Sequence, residues 1–358
     1  MRKWELVGPK IPVWVWRSHL QRPLGFVNGQ MLWAPVEPTP EFWSAFDADR
    51  LPEGQRTLLL LHGTGQRTAP GFQGFQPEDF ERLQAIYGDR ILAFEHRAIG
   101  HHVVRNARDL VRALADANVR LELDVLGLSR GGLIGRYLAE GWAGWIPGID
   151  RIRVRKLIFI GTPNDGTPSA RRDRDSHGAT RMRVWRTDVR RLTLTSRGHE
   201  DPTLISDPMS LPRFDLGNRR LHGWPMLHGS RDMVPESVLL KQLNGFSGRP
   251  PGRPRPARYY GIASIFTFKH GAPDAQISGF HRSDIVRHAL SAVPNDLVVP
   301  TASVYAPRLG PHGPDGFPLP PTRLMVLGPE ANATHTSLVR VRAVRDRIIR
   351  WLLPPKVA

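Results

Sequence analysis

The chain of 358 residues contains no cysteine. That absence excludes disulfides, thiolate metal centres and a cysteine nucleophile together, and it fits the cytoplasmic setting expected for this chain. No run approaches the roughly eighteen consecutive apolar residues that a membrane-spanning helix requires. The opening stretch MRKWELVGPKIPVWVW starts basic, but Pro and Lys break its apolar run and no small-residue cleavage site follows. It therefore reads as part of the fold and not as a signal peptide. Lysine is scarce, with six among 50 basic residues, and only 33 acidic residues oppose them, leaving a formal net charge of +17. A surplus of that size can attract nucleic acid, anionic membrane or acidic substrates. The arginines are spread along the whole chain, aromatics are not interleaved with them, and no RNA- or DNA-binding motif is present, so no specific nucleic-acid partner is expected. The densest cluster, ARRDRDSHGATRMRVWRTDVRR at 170–191, is the candidate anionic contact surface.

What is present is a large core. Hydrophobic residues make up 40 % of the chain, including 10 Trp and 14 Phe, while 33 Pro and 34 Gly imply long ordered loops. TLLLL (57–61), RILAFEH (90–96), LELDVLGL (121–128), VRKLIFIG (154–161), YYGIASIF (259–266) and TRLMVLG (322–328) read as strands. Between them Val103, Val104, Ala107, Leu110, Val111, Leu114 and Ala117 recur at helical spacing, and Leu133, Ile134, Tyr137 and Leu138 begin a second helix face. A terminal helix carries Leu338, Val341, Val344, Ile348 and Leu352 on one stripe. Strands apolar on both faces, alternating with helices, belong in a mostly parallel central sheet covered on both sides, so the expected fold class is α/β. The expected organisation is one domain over 1–358, with 1–56 as an N-terminal extension packed on the core and 164–255 as an inserted cap or lid. Met182, Trp185, Leu192, Leu211, Phe214 and Trp224 in that insert could line an acyl pocket.

The chemistry starts at LGLSRGG, residues 126–132. Gly127-Leu128-Ser129-Arg130-Gly131 is a G-x-S-x-G pattern between an apolar strand and a helix, the context of a nucleophile elbow. A serine there must sit on a strained turn so that its Oγ projects from the sheet's carboxyl edge, and the flanking glycines remove Cβ atoms that would clash. The main-chain N–H of Arg130 then points to the same space at a helix N-terminus, where negative charge is favoured. A second oxyanion donor must come from an earlier loop, and HGTG after the first strand supplies the N–H of Thr64. His62 in that loop is expected to bond loop carbonyls, because a base so early contradicts the order serine, acid, histidine.

The stretches LLLLHGTG, YGDRILAFEH, LDVLGLSRGGLIGRYLAE, LIFIGTPNDGTPSA and NDLVVPTASV…THTSL together resemble the bacterial lipase-like α/β-hydrolases, relatives of triacylglycerol lipases and GPI-inositol-deacylase-type esterases. The resemblance covers 57–165 closely and 230–353 loosely; Leu128 departs from it, since many relatives carry His there. It implies the α/β-hydrolase fold and a Ser-Asp-His triad cleaving carboxylic esters of a small molecule or lipid, with no cofactor. Esterases, lipases, thioesterases and acyltransferases share these features, so the resemblance leaves the substrate open.

His335 in ANATHTSLV follows the last strand and precedes the terminal helix, with Ser337 at the N-cap position, which suits the base. Two acids are candidates. Asp296 in PNDLVVPTAS lies downstream of the strand at 259–266 and is preferred, although the helix-like HRSDIVRHAL (281–290) lengthens the loop that leads to it. Asp232 in HGSRDMVPES is the alternative, followed by a helix start at Val238, Leu239, Leu240 and Leu243. His96, His101 and His102 with Glu95 suggest a metal cluster, but a loop with adjacent histidines more often edges a pocket, so no metal is expected. GTPNDGTP (161–168) lacks phosphate-loop spacing and reads as a turn near the site, with Thr162 and Asn164 packing around it.

Overall fold

A computed structural model describes residues 13–16, 26–27, 30–31, 43–45, 55–64, 68–88, 90–94, 96, 98, 101–116, 120–140, 147–170, 228–245, 257–267, 293–308 and 316–354. The basic cluster at 170–191 beyond residue 170, the apolar residues expected to line the insert, and HRSDIVRHAL lie outside the described residues, as does Glu95.

Among the described residues the strands are β1 (Val13–Trp16), β2 (Phe26–Val27), β3 (Gln30–Met31), β4 (Trp43–Ala45), β5 (Arg56–Leu61), β6 (Ile91–Phe94), β7 (Leu121–Leu128), β8 (Ile152–Ile160), β9 (Arg258–Ser264) and β10 (Leu324–Leu327). The helices are α1 (Thr68–Gly71), α2 (Pro77–Tyr87), α3 (Val103–Asp116), α4 (Arg130–Ala139), α5 (His228–Arg231), α6 (Val238–Gly245), α7 (Thr301–Tyr305) and α8 (Arg342–Leu352). The main sheet runs β10-β9-β8-β7-β5-β6-β1-β4; β10 through β6 are parallel, and β1 joins β6 and β4 antiparallel. Strands β1 and β4 are an addition that the sequence reading did not resolve.

Side-chain alternation explains why the parallel strands are apolar throughout. Leu59 and Leu61 of β5, Leu123 and Val125 of β7, and Leu157 and Phe159 of β8 face one cluster with α3, α4 and α6. Leu58, Leu60, Leu126, Ile158 and Ile160 face the opposite cluster with Phe80 and Leu83 of α2 and Val344, Ile348 and Leu352 of α8. Each such side chain withdrawn from water contributes about 1.5–3 kcal/mol, which holds a helix layer on each face. A parallel sheet with two helix layers and a serine turn at the carboxyl end of a central strand is the α/β-hydrolase fold.

Two local expectations need correction. The terminal helix begins at Arg342 with Val341 at its N-cap, so Leu338 lies in a preceding 3-10 turn, Leu338–Arg340. Ser337 makes no cap bond to that helix; its Oγ instead accepts from Thr334 N at 2.8 Å, closing the loop that carries His335.

Candidate functional site

The loops that leave β5, β7, β8, β9 and β10 gather at the sheet's carboxyl edge, where ligands of α/β folds bind. At the end of β7 the chain turns through Ser129 with φ of 53°, a left-handed value that a non-glycine residue adopts at a strain cost. Three glycines make the turn possible. A Cβ on Gly127 would overlap Gly132, and one on Gly132 would overlap the Thr162 side chain. On Gly131 it would lie 2.7 Å from the His62 carbonyl oxygen, so the start of α4 presses against the end of β5. Gly132, which the sequence reading passed over, is as constrained as its neighbours. Ser129 N donates to Ile160 O at 2.8 Å, fastening the elbow to β8, and the side chain is 8 % exposed.

The next residue after β8 is Gly161, at φ of 59°. The His335 ring lies against it: a Cβ there would stand 2.9 Å from Nδ1. Ser129 is thus fastened to the last residue of β8, and His335 lies against the glycine that follows it. His335 Nδ1 donates to Asp296 Oδ2 at 2.7 Å, and His335 N donates to Asp296 O at 2.9 Å. Asp296 Oδ1 accepts from Val298 N at 3.0 Å and Val299 N at 2.7 Å. The carboxylate thus holds the Nδ1 proton, and Nε2 is the ring nitrogen turned away from it. Leu297, between the acid and its amide donors, has φ of 77°, a second strained residue at the site. Ser264 Oγ, at the end of β9, donates to Ala333 O at 2.9 Å and ties down the histidine loop.

Asp232 is engaged elsewhere. Its carboxylate accepts from Val103 N at 2.6 Å, at the first residue of α3, and from His102 Nδ1 at 2.8 Å. It also lies 3.7 Å from Arg130 Nη2. The structure thus brings Asp296 and His335 together and sets Asp232 at a helix start.

Thr64 follows β5, and its peptide is oriented by the histidine before it. His62 Nε2 accepts from His96 N at 3.2 Å, so the proton sits on Nδ1, which donates to Gly63 O at 2.9 Å. In a planar trans peptide the C=O and the following N–H point in opposite directions. Holding Gly63 O against the imidazole therefore directs Thr64 N–H away from it. His62 bonds a loop carbonyl, as its sequence position suggested. Thr64 Oγ1 also meets Met233 Sδ at 3.7 Å, an apolar neighbour that nothing in the sequence pointed to.

His96 stacks on His62 with centroids 3.8 Å apart, and its own Nδ1 bonds Phe94 O at 3.2 Å. Burial, then the neighbouring His62 and Arg130, push its imidazole well below the usual histidine range, so it is neutral. His101 Nδ1 lies 3.6 Å from Asp109. Each of the three histidines has its own partner, and among the described residues no group of His, Asp and Glu is arranged to hold a metal. Thr162 Oγ1 donates to Gly127 O at 3.3 Å, and Asn164 Nδ2 donates to Val304 O at 2.7 Å, so both brace the turn at the end of β8. No described helix is long and apolar enough to cross a membrane.

Solved structures of the same fold are similar at a distance. A lipase from Bacillus licheniformis, in mature form, is 13 % identical with a TM-score of 0.42, covering 85 % of this chain and 96 % of its own. Lipase 1 from Pelosinus fermentans is 14 % identical with a TM-score of 0.46, covering 83 % and 97 %. A thermophilic esterase from Thermogutta terrifontis is 17 % identical with a TM-score of 0.42, covering 84 % and 90 %. No curated protein matches the sequence. Residues 27–353 match the family described as "Domain of unknown function (DUF7379)", and the chain belongs to that family.

Proposed function

We propose that this protein is a serine hydrolase that cleaves carboxylic esters through an acyl-enzyme, with Ser129 as nucleophile, His335 as base and Asp296 as the acid behind it. The observation that carries the reading is the 2.7 Å Asp296–His335 hydrogen bond beside a serine on a strained strand–helix turn. A fold alone needs neither that strain nor a buried acid–imidazole pair at the same sheet edge.

Ser129 Oγ attacks the ester carbonyl while His335 Nε2 takes its proton, and Asp296 stabilises the imidazolium and holds the tautomer. The carbonyl oxygen becomes an oxyanion facing the N–H groups of Thr64 and Arg130. Collapse breaks the bond to the leaving alkoxide, which receives the proton from His335. A water molecule, deprotonated by the same nitrogen, then attacks the acyl-enzyme and frees the acid. Thioesters, and acyl acceptors other than water, would use the same groups. The substrate is a small-molecule or lipid ester.

Ser129→Ala should abolish both turnover of p-nitrophenyl esters and labelling by a fluorophosphonate probe, with wild-type circular dichroism. Unchanged labelling of the alanine variant would sink the nucleophile assignment. A panel of acyl chain lengths then defines the preferred substrate. The net charge of +17 favours a second property, docking on an anionic surface. Salt-sensitive binding of Ser129→Ala to anionic liposomes tests it, and binding only to neutral vesicles would exclude it.

A further inference from the structure

Arg130 follows the nucleophile and is fully buried, at 0 % exposure. A guanidinium so withdrawn from water is costly unless it is paired, and here the pairing is thin. Its Nε donates to Gly229 O at 3.1 Å and its Nη2 donates to His101 O. The nearest carboxylate among the described residues, Asp232, is 3.7 Å away and already accepts from Val103 N and His102. Nη1 is buried and has no hydrogen-bond partner among the described residues. Burial outweighs Asp232 and brings the guanidinium pKa down to about 10, still charged at neutral pH. The cation also acts on His96, the ring stacked against His62, which orients the Gly63–Thr64 peptide. One side chain thus joins the elbow, which carries one of the two N–H groups assigned to the oxyanion, to the turn before α3 and to α5.

We infer that the Arg130 side chain is a positioning residue for the acyl-transfer step, a role that rests on the Ser129 hydrolase reading. Its planar fork grips the carbonyls of His101, before α3, and of Gly229, in α5, and so fixes the Arg130 main-chain N–H toward the oxyanion. Its charge, opposed by Asp232 at 3.7 Å, belongs to the residue whose main-chain N–H is assigned to the oxyanion, and that negative charge develops in the transition state and not in the bound ester. Its effect therefore falls on kcat.

The test compares wild type, Arg130→Met and Arg130→Lys for kcat, KM, fluorophosphonate labelling rate and thermal midpoint. Arg130→Met should lose about 100-fold in kcat and in labelling rate, the scale of one oxyanion donor, with KM changed by less than about threefold. Arg130→Lys keeps the charge but not the fork and should regain about tenfold of that loss. A folded Met variant with wild-type kcat, a loss carried wholly by KM, or a Lys variant no better than Met overturns the role. Should Arg130→Met fail to fold, the Lys variant decides: a tenfold deficit in kcat at unchanged KM supports the role, and wild-type kcat overturns it. Wild-type protein that takes up no fluorophosphonate overturns the Ser129 reading and this one with it, whereas a labelled wild type with an unaffected Met variant overturns only the role of Arg130.

Discussion

His335 and Asp296, 39 residues apart in the chain, are joined twice: the imidazole Nδ1–H donates to the carboxylate at 2.7 Å and the His335 main-chain N–H donates to the Asp296 carbonyl at 2.9 Å. The second bond keeps the two loops in register whatever the protonation of the ring, so the carboxylate meets Nδ1 and not Nε2.

Substituting the two candidate acids separates their roles. Asp296→Asn should lower kcat by about 10⁴-fold by stabilising the wrong imidazole tautomer, with little loss of stability. Asp232→Asn should weaken the start of α3, where the carboxylate meets Val103 N, and cost about 1 kcal/mol in urea denaturation. A collapse of kcat in the Asp232 variant alone would reverse the assignment.

His62 acts through the peptide that it holds. His62→Phe keeps the stacking surface for His96 but removes the hydrogen bond to Gly63 O. Thr64 N–H then loses its orientation, and kcat should fall about 100-fold, the scale of losing one oxyanion donor, with KM little changed. Steady-state kinetics on one short-chain ester checks this; a rise in KM at constant kcat would contradict it.

Gly161→Ala tests whether the histidine needs its glycine seat. The backbone φ of 59° disfavours alanine, and the new Cβ would crowd Nδ1 of His335. Destabilisation of about 1–3 kcal/mol is expected from the strain and overpacking, with kcat reduced more than the unfolding midpoint alone explains.

Acid sensitivity should trace to His96. Its imidazole is neutral in the folded protein because burial, then His62 and Arg130, disfavour the cation, whereas the unfolded chain takes up a proton near the ordinary value of 6.5. The unfolded state thus binds more protons below that value, so this contribution to stability is complete above it and is lost as pH falls. The loss is at most about 1.4 kcal/mol per pH unit for one group. Chemical denaturation between pH 7 and 5 should show this slope, and His96→Asn should flatten it.

The serine turn and the parallel sheet were legible in the sequence because both are local. Leu58 to Leu61 and Leu157 to Ile160 are apolar on successive residues, the pattern of strands covered on both faces, and Gly127 through Gly131 closes the strand between them. The place of His335, after the last strand and before the terminal helix, was legible from chain order. The strand at 90–96 was read too long, since it ends at Phe94 and His96 turns off to stack on His62.

Which aspartate meets His335 was settled only in three dimensions. Asp296 and Asp232 stand in nearly the same local text, D-L-V-V-P and D-M-V-P, and local pattern cannot separate them. The carboxylates diverge because one loop returns to the end of β10 and the other to the start of α3, contacts between segments far apart in the chain. The buried guanidinium of Arg130, the seat at Gly161 and the overlap that excludes a side chain at Gly132 belong to the same class. By itself the sequence determined which faces are apolar and where the serine turn falls, since periodicity and glycine spacing encode both. The tertiary structure decided which loops touch, because close packing joins residues whose proximity no local pattern records.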